Sequence, residues 1–184
     1  MAAKSNLTNM ALCLTAVCLV CAAILGVTYA ATKAPIEAAA AAEAQASIAK
    51  VLPDGGEISE EIASDAEGVE GYYVQTSEEG AVTAYAVKSS TGGFGGLLTL
   101  MVGVLPDGTV YNTSVLAHSE TPGLGAKCAE EKSAFREQWK GFAGVLSVKK
   151  DGGDVDAITA STITSRAYTK AVAQAVALVK SMED

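Results

Sequence analysis

Between Met10 and Ala31 the chain runs for 22 residues without a charged side chain. As an α-helix rising about 1.5 Å per residue, that run reaches ~33 Å, close to the hydrocarbon thickness of a bilayer. It predicts a single transmembrane helix over 10–31, preceded by a short cytoplasmic segment over 1–9. Lys4 and Lys33 flank the run on opposite sides, so the positive-inside signal is weak. The free N-terminal amine tips the orientation towards N-inside. A cleavable signal peptide is the rival reading, with Thr28-Tyr29-Ala30 as its cleavage site. The run is longer than an ordinary signal-peptide core, which favours the anchor. Cys21 does not suit a lipoprotein, because Val20 fills the position that needs a small residue. Both readings place the remaining chain outside the cytoplasm, at the inner membrane of the cell.

The chain beyond this run is long enough for one modest core. Pro35 and the alanine-rich stretch to Lys50 read as a helical stalk over 32–53, with proline in its first turn. Strand-like segments come next. Tyr72–Thr76 and Ala81–Val87 flank Glu78-Glu79-Gly80, and Leu97–Leu105 and Thr109–Ala117 flank Pro106-Asp107-Gly108. Both arrangements predict antiparallel hairpins. Phe135 and Trp139 share one face of a predicted helix, and Gly144–Lys149 reads as a further strand. From Ser165 to Met182, Tyr168, Val172, Ala175, Val176 and Val179 form an apolar stripe, the mark of a helix packed on a sheet. The absence of a regular βαβ alternation predicts an α+β fold. We therefore expect a transmembrane helix followed by one small antiparallel-sheet domain with packed helices over 54–184.

Composition removes several functions. The net charge is −8, which excludes a basic surface for nucleic acid. Cys13, Cys18 and Cys21 lie in the apolar run, leaving Cys128 and the single His118 outside it. That set predicts no metal site. Thr91-Gly92-Gly93-Phe94-Gly95-Gly96 lacks the Gly-Lys-Ser/Thr ending of a phosphate loop and leads into a strand, so it reads as a flexible approach to Leu97–Leu105. His118 and Ser119 are adjacent and have no orienting acid, which argues against a catalytic triad.

Two stretches remain. In His118–Lys127, Pro122-Gly123 favours a type II turn, and Gly125 permits a second close backbone approach. Such a loop offers N–H groups and one apolar side chain, Leu124, to a flat ligand, although an ordinary surface turn explains it equally. Asp156–Arg166 places five small hydroxyl residues before the last helix. Capping explains one or two of them. A helix N-terminus also attracts anions, so a phosphate suits this place, with a threonine hydroxyl able to carry it as an ester.

Together, GGFGGLLTLMVGVLPDGTV, AHSETPGLGAK, FREQWKGF and KKDGGDVDAITASTITSRA resemble the flavin mononucleotide (FMN) domain of the Rnf electron-transport complex G subunit. The same domain occurs in the C subunit of the sodium-pumping NADH:quinone reductase. The resemblance covers roughly Gly71–Met182 and the N-terminal anchor. It implies FMN joined by a phosphoester to a threonine, installed by a flavin transferase, in the motif Asp-x-x-Ser/Thr-Gly-Ala-Thr. Thr162 falls on the acceptor position, and Asp156 and Thr159 match. Ala160 stands in place of the glycine and Ser161 in place of the alanine, which makes Ser161 a minor competing acceptor. Ser161, Ile163 and Thr164 are expected beside the phosphate, with Arg166 as a further contact or a solvated residue. By the same resemblance Glu120, Thr121, Gly123, Leu124, Gly125 and Lys127 line the flavin ring.

The implied function is an electron carrier, without turnover of its own, in ferredoxin:NAD⁺ electron transfer coupled to Na⁺ or H⁺ movement. Its partners would be the other membrane subunits, the transferase and membrane lipid. The alternatives are a quinone-reductase C subunit, a stand-alone flavinylated carrier, and an anchor or assembly subunit that carries no flavin.

Overall fold

The computed structural model describes residues 6–183. The chain divides after Ala42 into two compact units. Helix α1 spans Leu7–Val51, 45 residues with Pro35 inside it. The expected stalk continues from the apolar run without a break, so Pro35 lies inside the helix and not in a first turn. Proline costs the bond to the carbonyl four residues back, and the alanine-rich sequence around it favours helix strongly enough to continue. In the first unit the helix is long and apolar enough to cross a membrane. Two of its hydroxyls are satisfied internally: Thr28 Oγ1 donates to the Ile24 carbonyl at 2.8 Å and Thr32 Oγ1 to that of Thr28 at 2.9 Å. Such back-bonding removes the cost of a polar group in lipid.

The second unit begins at Glu43, so the last turns of α1 belong to it. Its centre is a six-stranded antiparallel sheet of β1 (Glu57–Ile58), β2 (Ile62–Ala63), β3 (Val69–Thr76), β4 (Val82–Gly92), β5 (Leu97–Val104) and β6 (Val110–Ala117). The spatial order is β1-β3-β4-β5-β6, with β2 also paired to β3. Both expected hairpins form. In the second, the Leu105 N–H bonds the Thr109 carbonyl at 2.9 Å and Asp107 Oδ1 caps the Thr109 N–H at 2.8 Å.

Alternation along β5 gives the sheet two buried faces. Leu98, Leu100, Val102 and Val104 point into the main core with Tyr168, Val172, Val176 and Val179 of helix α3 (Thr162–Glu183). Met101 points the other way, towards Ile48, Val51 and Leu52 at the end of α1. Gly103 shares that second face, and a Cβ there would collide with the Val51 carbonyl and lie 3.2 Å from Val51 Cβ. The glycine is what lets α1 lie this close to the sheet.

Phe135 and Trp139 are both buried, but the helix expected to carry them on one face is only α2, Ala134–Glu137, and Trp139 lies in the turns beyond it. Trp139 stacks on Tyr168 at 5.4 Å between ring centroids, and Phe135 meets Tyr168 edge-on at 5.1 Å. The Tyr168 hydroxyl donates to Thr113 Oγ1 at 2.7 Å, fixing α3 to β6. Gly144–Lys149 is not a strand. Its one ladder contact is a parallel bridge from Val148 to Val155, because the chain folds back at once. Asp154 Oδ2 accepts from the Val145 N–H at 2.7 Å, and Gly153 presses against the Ser147 backbone, where no Cβ would fit.

Gly103→Ala should destabilise the full-length protein by about 1–3 kcal/mol, the usual cost of overpacking. Denaturant unfolding followed by the fluorescence of Trp139, the single tryptophan, would read the shift.

Candidate functional site

Three chain segments meet at one end of the sheet, around a cavity of about 360 Å³. The first is the turn between β4 and β5. The Thr91–Gly96 run is not a flexible approach: Thr91 and Gly92 are in β4, and Gly93 N–H bonds the Gly96 carbonyl at 2.7 Å to close a tight hairpin. Its tip presents Phe94, 67% exposed, to the cavity.

The second segment is the loop after β6. Its Leu124 N–H bonds the Thr121 carbonyl at 3.2 Å, and Gly123 has φ +75°. This is the expected type II turn, in which Gly123 takes the conformation that would strain a side chain. Thr121, Leu124 and Gly125 line the cavity, and so does Glu120. Gly123 and Lys127 are exposed and do not line it.

The third segment is the start of α3. We expected this helix to begin at Ser165, but it begins at Thr162. The Ser161 carbonyl explains the earlier start, since it accepts from the Ser165 N–H at 3.0 Å and from the Ser165 hydroxyl at 2.9 Å. Ser165 Oγ in turn accepts from the Ile158 N–H at 2.9 Å. Ser161, Thr162, Ile163 and Thr164 all line the cavity. The first-turn N–H groups of Thr162, Ile163 and Thr164 have no carbonyl one turn earlier to bond, which leaves them for an anion.

The hydroxyl run thus separates by role. Ser165 ties the preceding loop to the helix, and Thr164 Oγ1 donates to Glu120 Oε2 at 2.8 Å in a buried contact. Thr162 is half-buried at the cavity wall, and its hydroxyl bonds no other group among the described residues. Ser161 also lines the cavity, but only 8% of its surface is exposed.

Glu120, 6% exposed, joins the three segments. Its Oε1 accepts from the Phe94 N–H at 2.8 Å and the Gly95 N–H at 3.4 Å, while Oε2 takes the Thr164 hydroxyl. Gly93 and Gly125 make room for it: a Cβ at either would strike the carboxylate. Cys128 behind the loop is fully buried, and burial with the neighbouring Glu120 charge pushes its thiol up to about 11. It is a core residue, protonated at neutral pH, and no nucleophile.

Arg166 does not reach the cavity. Its Nε and Nη2 hold Asp151 at 2.6 and 2.7 Å on the surface. Asp156 is also outside, paired with Lys149 at 2.7 Å. Sequence reasoning missed Phe94 as a cavity wall. The available signal was an aromatic between two glycine pairs, a side chain with no strand to bury it. Ala160 is the other addition: it lines the cavity at φ 60°, the one non-glycine residue with positive φ among those described.

Comparison with known proteins identifies the chain. The FMN-binding domain family matches residues 93–177. The G subunit of the ion-translocating oxidoreductase complex of Methanosarcina acetivorans is 30% identical over 100% of both chains. The chain belongs to this G-subunit family. The corresponding G subunit of Cereibacter sphaeroides is 36% identical over 87% of this chain and 78% of that protein. The G subunit of the proton-translocating ferredoxin:NAD(+) oxidoreductase complex of Clostridium ljungdahlii is 45% identical, but the match spans only 50% of this chain and 51% of that protein.

The cavity of this G-subunit protein suits FMN. Its volume falls within the roughly 300–1,000 Å³ of small-molecule pockets, its rim is apolar (Phe94, Leu124, Ile163), and one end is a helix N-terminus. The sequence difference at Ala160 also acquires a physical meaning, because the motif's glycine stands at a left-handed position. A side chain there costs roughly 1–2 kcal/mol, against about 0.4–1 kcal/mol recovered through a stiffer unfolded chain. Ala160→Gly should therefore stabilise the protein by about 0.5–1 kcal/mol, read from the denaturant midpoint of Trp139 fluorescence.

Proposed function

We propose that this membrane-anchored subunit holds FMN through a phosphoester on Thr162 and relays electrons within a ferredoxin:NAD⁺ oxidoreductase complex coupled to ion movement. The observation that carries the reading is the position of Thr162. Its unbonded hydroxyl sits on the first turn of α3, in the wall of the one described cavity that joins a helix N-terminus to an apolar slot. A phosphodiester there keeps one negative charge. The N–H groups of the first turn and the helix dipole stabilise it, and no side-chain cation is needed.

The bound FMN supplies the one- and two-electron chemistry. The protein's residues bind and orient it. Phe94, Leu124 and Ile163 offer apolar surface to the ring, the Thr121–Leu124 turn shapes one wall, and Glu120 fixes the walls to one another. Ester attachment keeps the cofactor from diffusing away on the extracytoplasmic side of the inner membrane, where this reading places the domain. A flavin transferase would install the group, and the other membrane subunits would supply and accept electrons.

A second reading, an anchor subunit without flavin, draws support from Ala160 and Ser161 at the acceptor motif. One experiment separates the two. After co-expression with a flavin transferase, the denatured wild-type band should fluoresce on a gel and show a covalent FMN mass. Thr162→Ala should abolish both signals, while Ser161→Ala should retain them. A wild-type band without FMN supports the flavin-free anchor, and a signal surviving Thr162→Ala moves the acceptor elsewhere. In spheroplasts, external protease should digest residues 54–184, whereas their protection would reverse the proposed topology.

A further inference from the structure

The cavity wall carries one ionisable side chain, Glu120, and no lysine or arginine among the described residues lines it. The cations nearest in sequence are turned elsewhere: Lys127 is exposed, and Arg166 is held by Asp151 at 2.6 Å. The Glu120 carboxyl accepts from two backbone N–H groups and the Thr164 hydroxyl. An ionised carboxylate, which only accepts, suits those three donors. The group is almost completely buried, where a charge acts over distance with little screening by water.

We propose that Glu120 sets the reduction potential of the cofactor, holding it low by confronting the reduced ring with a fixed negative charge. This rests on the FMN reading above. The oxidised ring takes up two electrons with one proton to become an anion, or with two protons to remain neutral. Electrons come one at a time from a reduced one-electron carrier in the complex, or from the electrode in the titration below. A carboxylate in the wall disfavours the anion, so reduction needs a stronger donor and the reduced ring keeps its second proton. The three hydrogen bonds make Glu120 a clamp as well, so the test must distinguish charge from shape.

Two variants do so. In Glu120→Gln the amide oxygen replaces Oε1 as acceptor from Phe94 and Gly95. The amide nitrogen donates to Thr164 Oγ1, whose hydroxyl reverses its role. The clamp persists and the charge goes. Thr164→Val leaves the charge and removes the donor that compensates it.

Full-length protein carrying a verified covalent FMN mass is titrated spectroelectrochemically at one pH. Glu120→Gln should shift the midpoint to more positive potential and turn the reduced-flavin spectrum towards the anionic form. Thr164→Val should shift the midpoint to more negative potential. A purely structural loosening would move both variants the same way, and that result overturns the proposal. An unshifted Glu120→Gln also overturns it. Should Glu120→Gln fail to load FMN, Thr164→Val decides alone, and a positive or absent shift is contrary. Absence of the FMN mass from the wild type is a different failure, that of the attachment reading itself.

Discussion

A single buried carboxylate holds the site together. Glu120 lies on a loop after β6, yet its two oxygens reach the β4–β5 turn and the first turn of α3. Its partners Phe94 and Thr164 are 26 and 44 residues away in sequence, and no other described side chain bonds both segments. Leaving a charge in so enclosed a place is costly unless hydrogen bonds satisfy it. Here glycines at 93 and 125 admit the carboxylate, and the satisfied charge fixes the geometry of the walls. The shape of the cavity is therefore inseparable from its electrostatics.

The clamp works because its three segments leave a rigid support. The sheet is buried on both faces, by α3 on one and by the last turns of α1 on the other. Alternation along β5 divides these faces, and Gly103 sets how closely α1 can approach. On the face that carries α3, Tyr168 stacks on Trp139 and bonds Thr113, which anchors the helix a little beyond its first turn. The N-terminus of α3 is thus held from behind by aromatic packing and from the front by Thr164 on Glu120.

Much of this was legible in the sequence, for identifiable reasons. The uncharged run gave α1, the turn residues gave both hairpins, and the Tyr168–Val179 stripe gave the face of α3. Thr121, Leu124, Gly125 and the Ser161–Thr164 residues do gather at one cavity. Other features depend on contacts between distant residues. The start of α3 moved from Ser165 to Thr162 because the Ser161 carbonyl captures Ser165. Gly144–Lys149 lost its strand because Asp154 and Gly153 fold the chain back on it. Gly123 shapes its turn without lining the cavity, Lys127 points to solvent, and Arg166 prefers Asp151. The left-handed backbone at Ala160 could be read only from coordinates, and it explains why glycine suits that place.

The central claim is that one hydroxyl, on the first residue of α3, carries the cofactor. Tandem mass spectrometry of the tryptic peptide Asp151–Arg166, from protein matured with a flavin transferase, tests it most directly. The account predicts a single FMN phosphoester whose fragment ions place it on Thr162. Fragments that place it on Thr159, Ser161, Thr164 or Ser165, or a peptide found only unmodified, would contradict it.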